Sequence, residues 1–359
     1  MNRTSAIAFA LVTLVCAADA LAQRRDVAAA AQHTAPSAAQ YKIVTASERG
    51  TYIVLGRDLA TYVAPAANIE LESVPSAGSA ENVKRLRFEP GVKLAIVQSD
   101  VYQAFLNQAD AGNRDAADLI RPLRLVLPLY EEEVYFVVRA DSPLNYVHDI
   151  KDARINVGPV GSGTALTATT AYGLLFGNSQ PKASFMTNEE ALLKLTTAQD
   201  VDVVVIVGGQ PMKLLADIKP EGRQLIKFLR FDPSNARQVL DTYDVSTVRQ
   251  ASYPNLLTAD FPTLAVRAYL VTYDYNVQQS GRYLARFARA LCDNWKSLQE
   301  GGHPKWKEVT LGLPALGKGW KYYEPTAREI RACTSEKPMT KVSAPKSCSQ
   351  QERILGLCS

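Results

Sequence analysis

The run Arg154-Ile155-Asn156-Val157-Gly158-Pro159-Val160-Gly161-Ser162-Gly163-Thr164 reads as a short strand, a glycine-rich loop and the start of a helix that continues to about Leu175. Small residues let a backbone approach a ligand closely. The free amides of a helix start, joined by the Ser162 and Thr164 hydroxyls, make a seat for a carboxylate or a phosphate. Two enzyme motifs are excluded at this loop. A nucleotide-hydrolase phosphate loop requires Lys after its final Gly, where Thr164 stands. A hydrolase nucleophile elbow requires Gly two residues before the Ser, where Val160 stands. A capped strand-to-helix turn that binds nothing would read the same way, so the surroundings must decide.

Working outward, Ser47-Glu48-Arg49-Gly50-Thr51-Tyr52 occupies the matching place near the N-terminus. It lies between a strand over 41–46 and helical spacing over 52–62. Ile69-Glu-Leu-Glu-Ser-Val74 alternates as a strand, Ser79 to Phe88 reads as a helix, and Val92 to Val97 reads as a third strand. Two β-rich runs follow around Leu123 to Val138, broken by Pro128 and by Glu131 to Glu133; the glutamates read as a solvated turn rather than a metal site. After this crossing the strand–helix alternation repeats through Val201 to Val207, and Phe261 to Tyr273 reads as the return. The expected fold is therefore α/β and two-lobed, each lobe a mainly parallel sheet flanked by helices, with a ligand cleft between the lobes. The expected boundaries are 41–133 for the first part of lobe 1, 134–262 for lobe 2 and 263–319 for the return segment. Ser280 to Leu298 has the spacing of an amphipathic helix. Beyond about Leu313, Gly, Pro, Lys and Ser accumulate, so 320–359 reads as an irregular, Cys-bearing tail.

The N-terminus reads as an export signal over 1–22. Arg3 precedes an apolar stretch, Ala20-Leu21-Ala22 offers small residues for cleavage, and 23–40 is a flexible leader. Cys16 after Leu14-Val15 allows a lipid-anchored variant, although a bulky Val directly before the Cys suits lipid attachment poorly. Export implies a periplasmic protein in an oxidising compartment, where the four mature cysteines, Cys292, Cys333, Cys348 and Cys358, are disulfide candidates. Cys292–Cys333 with Cys348–Cys358 is the preferred pairing, because it uses short closures and ties the tail to the body. Cys333–Cys348 with Cys292–Cys358 is the runner-up. With no Cys-x-x-Cys pair and three dispersed histidines, no metal site is expected, and no motif asks for a cofactor. Forty basic and thirty-six acidic residues give a net charge of +4, with the signs interspersed. That is a solvated surface and not a nucleic-acid stripe.

Taken together, the motifs resemble the TAXI group of solute receptors that serve TRAP-type secondary transporters. Thr45-Ala-Ser47-Glu-Arg-Gly50-Thr-Tyr52-Ile-Val-Leu-Gly56 is similar to the family's opening loop, and Ser76-Ala-Gly-Ser79-Ala-Glu-Asn82 to its Gly-Ser-x-Glu-Asn segment. Val97-Gln98-Ser-Asp100 resembles its Val-Gln-x-Asp strand end, and Gly161-Ser162-Gly163-Thr164 its second-lobe Gly-Ser-Gly-Thr loop. Gly209-Gln210-Pro211 and His303-Pro304 fall where comparable turns occur, so the resemblance runs in order from about Tyr41 to Val309. Glu48-Arg49 and Ala165 depart from the pattern at the expected pocket rim, and the tail lies outside it.

The resemblance implies a type II-like periplasmic binding protein. Ser47, Tyr52, Gln98, Ser162, Gly163, Thr164 and Gln210 would line the ligand site. Arg49 could add a bidentate contact to a carboxylate. The implied role is capture of a small anionic, carboxylate-bearing solute (an amino acid or organic acid) by hinge closure, as a monomer that serves a TRAP membrane permease. A stand-alone periplasmic sensor signalling to a membrane kinase is the alternative. An exported enzyme is the third reading, and no nucleophile–base pair in matching motifs supports it.

Overall fold

The computed structural model describes residues 37–335, apart from residues 49, 178, 199 and 318. Contacts divide the chain after Ala38, and everything below belongs to the unit that begins at Ala39. The expected export signal, Cys16, Arg49, Cys348 and Cys358 lie outside the described residues. Among the described residues, no helix is long and apolar enough to cross a membrane.

The described strands are β1 (Ala39–Val44), β2 (Ile69–Val74), β3 (Val92–Gln98), β4 (Leu123–Arg139), β5 (Arg154–Asn156), β6 (Lys182–Ser184), β7 (Val203–Gly208), β8 (Ile226–Phe228), β9 (Asp244–Val248) and β10 (Phe261–Tyr273). They join in one sheet of order β2-β1-β3-β10-β4-β7-β5-β6, with β8 beside β4 and β9 beside β10. β1 is parallel to β2 and β3, and β5 is parallel to β6 and β7. Between these parallel blocks run β10 and β4, antiparallel to each other and to their outer neighbours. The helices that concern the site are α1 (Thr51–Asp58), α2 (Ser79–Phe88), α3 (Val101–Asp110), α4 (Arg114–Ile120), α5 (Gly163–Leu175), α6 (Asn188–Thr196), α7 (Gln278–Asp293), α8 (Trp295–Gly301) and α9 (Glu324–Ser335).

Two lobes emerge from where the apolar side chains go. Near β1–β3, one face of the sheet buries Tyr52, Leu94, Ile96, Leu284 and Phe287, and the other buries Val97, Phe105, Tyr269 and Trp320. Near β5–β7, one face buries Phe136, Val157, Ala168 and Val205, and the other buries Tyr135, Leu195, Val204 and Ile206. β4 and β10 contribute to both pairs of cores. Along β4 the cores change between Tyr130 and Val134, and along β10 between Val266 and Ala268. The residues at the change are Glu131, Glu132 and Glu133 on one strand and Arg267 on the other, where Arg267 Nη2 donates to Glu131 Oε1 at 2.6 Å. Polar side chains thus mark the floor between two hydrophobic cores.

Two sequence expectations are corrected here. Pro128 and the glutamate triplet do not break the chain into two runs, nor do the glutamates form a solvated turn. β4 is continuous over 17 residues, and Glu132 and Glu133 are buried. Pro128 cannot donate to a ladder. Its partner strand shifts register between Arg267 and Tyr269, beside the Tyr269–Pro128 pair, and absorbs the defect. The segment after Leu313 is not irregular throughout, because α9 buries Ala327 and Ile330 and packs along α7. Tyr323 N also donates to Leu125 O at 2.8 Å, which ties this segment to β4. A disulfide joins Cys292 on α7 to Cys333 on α9, the preferred pairing for those two.

Candidate functional site

The carboxyl ends of β1, β3, β5 and β7 all open toward the junction of the lobes, where backbone amides at helix starts also gather. Ser162 caps α5 by accepting from Ala165 N at 3.0 Å, and the strand before it hands the chain into the loop through Gly158, at φ +85°. A side chain at Gly158 would meet Thr164 Cβ at 3.1 Å, so the loop folds back on its own helix. In the first lobe Asn82 Nδ2 donates to Thr45 O and Ile96 O, locking the ends of β1 and β3 together. That lock fixes Gln98 at the end of β3.

The lobes meet at backbone distance. A Cβ built on Gly163 would lie 1.9 Å from Gln98 Oε1 and 2.9 Å from Ser79 Oγ, and one on Gly78 would lie 2.9 Å from Gly163 N. Only a residue without a side chain fits between α2 and α5 here. Around this contact, Gln98 N donates to Ser79 Oγ at 3.0 Å and Gln98 Nε2 donates to Glu132 Oε2 at 3.4 Å. Tyr52 donates its hydroxyl to the same Oε2 at 2.6 Å. A carboxylate so enclosed loses its water. Burial pushes the Glu132 carboxyl up to about 7, against the hydrogen bonds of Tyr52 and Gln98 that favour its ionised form.

Asp100 extends the seam. It stands at the start of α3 in the first lobe, yet its Oδ2 accepts from two second-lobe hydroxyls, Thr167 at 2.7 Å and Tyr243 at 3.0 Å. Burial raises its carboxyl to about 6, moderated by those two bonds and by the backbone amides of Asp100 and Val101. Behind Asp100 a cavity of about 350 Å³ lies between the lobes. Tyr102, Tyr269 and Trp320 wall it from the first lobe, Asp241 to Asp244 from the second, and Arg267 from the crossing strand. These three aromatic residues belong to the core on the face of the sheet opposite Tyr52.

Of the expected site residues, Tyr52, Gln98, Ser162, Gly163 and Thr164 are brought to the junction. Ser47 is not: it is exposed, and its carbonyl closes the loop by accepting from Gly50 N at 3.0 Å. Gln210 is buried with its amide committed inside the protein. Nε2 donates to Glu133 at 2.7 Å and to Thr247 O at 2.8 Å, while Oε1 accepts from Arg249 N at 2.9 Å and Ser252 at 3.1 Å. Both donors and both acceptor sites are used.

Residues that the sequence reading did not single out as ligand contacts are Ser79, Asp100, Glu132, Thr167 and Tyr243. Ser79 and Asp100 stood within quoted motifs; Thr167 and Tyr243 carry no local signal. Lys305 was also missed. It is a buried cation that bonds Glu308 at 2.7 Å, lies over the Tyr130 ring and counters the rise that burial imposes on Glu133. Among the described residues, no group of three or more His, Cys, Asp or Glu side chains is arranged to hold a metal ion.

The sequence model of the NMT1-like family matches residues 43–318. The chain is similar to several solved structures at low identity. The arginine-, lysine-, histidine-binding protein ArtJ of Geobacillus stearothermophilus is 14% identical, with 78% of this chain and 99% of that chain covered at a TM-score of 0.43. The periplasmic binding protein BugD is 12% identical over 84% and 96%, at 0.44. XAC2383 of Xanthomonas citri, solved bound to ATP, is 12% identical over 82% and 96%, at 0.44.

Proposed function

The chain belongs to the NMT1-like family, and from that premise we propose that it is an extracytoplasmic solute-binding protein. Its two lobes close on a small carboxylate-bearing solute, and the closed form is handed to the membrane permease of a TRAP-type transporter. The observation that carries this reading is the glycine contact between the lobes, with Gly163 seated against Gln98 and Ser79. A fit of that kind across a junction is what a hinged closure on a solute would use.

The start of α5, with Ser162 as its cap, supports the carboxylate. The Cys292–Cys333 bridge supports an oxidising compartment, in keeping with the export signal read in the sequence. The carboxylates at the junction are taken up by hydrogen bonds within the protein, Glu132 by Tyr52 and Gln98 and Glu133 by Gln210, an arrangement that suits holding rather than reaction. We therefore read the chain as a binding protein and not an enzyme. Mass spectrometry of small molecules released from protein purified without refolding tests the proposal. A single carboxylate-bearing compound in near-stoichiometric amount is expected, and protein that carries and binds no small molecule would refute it.

A further inference from the structure

The lobes meet at a second glycine besides Gly163. On the first-lobe side stands Lys305, in the short helical turn Pro304–Glu308, whose Trp306 belongs to the core around Tyr52. Lys305 is only 4% exposed, and its Nζ donates to Glu308 Oε2 at 2.7 Å while lying over the Tyr130 ring. Against it rests Gly209 of the second lobe, just beyond β7. A Cβ built on Gly209 would lie 2.6 Å from Lys305 Cε, 3.1 Å from Nζ and 3.0 Å from Tyr130 Cε2. The next residue of the same turn, Gln210, donates its backbone amide to Glu133 at 3.0 Å and Nε2 to the same carboxylate at 2.7 Å. Two successive residues of one turn thus touch a first-lobe ammonium and a buried carboxylate.

We propose that Lys305 is a positioning residue for closure: its ammonium is the countercharge of Glu133, and through that carboxylate it sets the Gly209-Gln210 turn of the second lobe against the first. A buried carboxylate stays charged only with donors and a cation near it. Glu133 has the Gln210 donors and Ser246 Oγ at 3.3 Å, and among the described residues it has no direct ion pair. Burial pushes its carboxyl up, and Lys305 is the strongest influence in the other direction, ahead of Gln210. The attraction acts across the turn and not by contact, because charges several ångströms apart still attract at a protein's effective dielectric. The other titratable groups around the pair are Glu132 and Tyr130 on β4, Glu308 and His303 beside Lys305, and Tyr135 and Tyr253 beside Glu133. Asp58 of α1 is turned to Trp306 and the His303 amide, and Arg249 is exposed. Opening the lobes would draw Gly209 off Lys305 and let water weaken the attraction. The inference rests on the reading of the chain as a solute-binding protein whose lobes close, and it names a residue on which the closed form depends.

Hydrogen–deuterium exchange on the full chain, with no solute added, tests the assignment. Lys305→Met keeps the length of the side chain and removes its charge. The Gln210 and Met212 amides, in the other lobe, are expected to exchange about tenfold faster than in the parent protein at about pH 8. That ratio should shrink toward one as pH falls and Glu133 takes a proton, because a neutral carboxyl needs no countercharge. Lost packing alone would give the same ratio at every pH. Exchange in β3, within the first lobe, should not change. Glu308→Gln, at a half-exposed residue, keeps the test open should Lys305→Met fail to fold. It leaves the ammonium in place and frees it to face Glu133, so Gln210 and Met212 should stay at least as protected as in the parent protein. Parent-like exchange in Lys305→Met, a ratio that does not move with pH, or faster exchange in Glu308→Gln overturns the assignment. If a small molecule is released from the purified protein and exchange is unmoved, only the role of Lys305 falls. If exchange moves as expected and the protein carries and binds no small molecule, the charge link stands and the solute-binding reading falls.

Discussion

Glu132 is a carboxylate held away from water by Tyr52, Tyr130 and Gln98, and its environment works against the charge it would carry at neutral pH. Raising the carboxyl from its ordinary 4.5 to about 7 corresponds to about 3 kcal/mol. The folded chain binds this proton more tightly than the unfolded chain. The group therefore favours folding at low pH, and that contribution is lost as pH rises through about 7. Glu132→Gln, which keeps the shape and removes the charge, should melt higher than the parent protein at about pH 8, with the difference shrinking as pH falls and vanishing near pH 4. Thermal denaturation of both proteins across that range checks it, and a variant less stable at every pH would mean that the ionised hydrogen bonds outweigh burial. Nothing in the local pattern of residues marks this environment. Three successive acids close after a proline have the composition of a turn, yet they pair in register with Arg267, Val266 and Ala265 of β10, and the ladder shifts only beside Pro128. Gly163 was picked out by the glycine-rich strand-to-helix loop that holds it, and Gln98 only through the resemblance of Val97-Gln98-Ser-Asp100 to a family motif. Thr167 and Tyr243 were not, since their meeting with Asp100 depends on how two distant elements pack.

At the scale of elements, α5 and the α7–α9 pair make separate predictions. Ser162 caps α5, so replacing Ser162 and Thr164 together by Ala should cost about 1 kcal/mol of stability through the lost cap. If the loop seats a carboxylate, affinity for the co-purified solute should fall further, by about 1–3 kcal/mol. Calorimetry separates the two, and an unchanged affinity would reduce the loop to a turn. The bridge between α7 and α9 closes a loop of 41 residues. In the chain-entropy account such a closure is worth about 4 kcal/mol. Cys292→Ser should lose a comparable amount in denaturant unfolding, and the parent protein should lose it under reductant. The helix α9 was hidden because its apolar positions are few. Tyr323, Ala327 and Ile330 do recur at helical spacing, but Gly, Lys and Pro on the N-terminal side and the polar face mask them. β10, by contrast, begins and ends where the β-rich run read in the sequence does, at Phe261 and Tyr273.

For the whole molecule the question is whether the lobes move as a hinge. Each lobe has its own pair of cores, and what crosses between them is largely polar: the Asp100 pairs with Thr167 and Tyr243, the contact of Gly163 with Gln98, and the two strands β4 and β10. Leu166 of α5 is the apolar exception, packing against the first-lobe core, so parting the junction uncovers little more than that side chain. Gly163→Ala probes it with one methyl group. That methyl would fall 1.9 Å from Gln98 Oε1 and 2.9 Å from Ser79 Oγ, so something must give. Gln98 is poorly placed to yield, because its own amide and its side-chain amide are both engaged, with Ser79 and Glu132. Parting the lobes by a small rotation is the easier response. Alanine at the first position of a helix does the helix itself no harm, since it is a better helix former than glycine by about 1 kcal/mol. The variant should therefore melt close to the parent protein without solute, yet bind the co-purified solute at least about tenfold more weakly, the effect of losing about 1.4 kcal/mol of closure. In small-angle scattering the parent protein should contract on saturation with that solute, and the variant should stay expanded. A variant that contracts as the parent does, with affinity intact, would show that the glycine contact is ordinary packing and that solute capture does not pass through it.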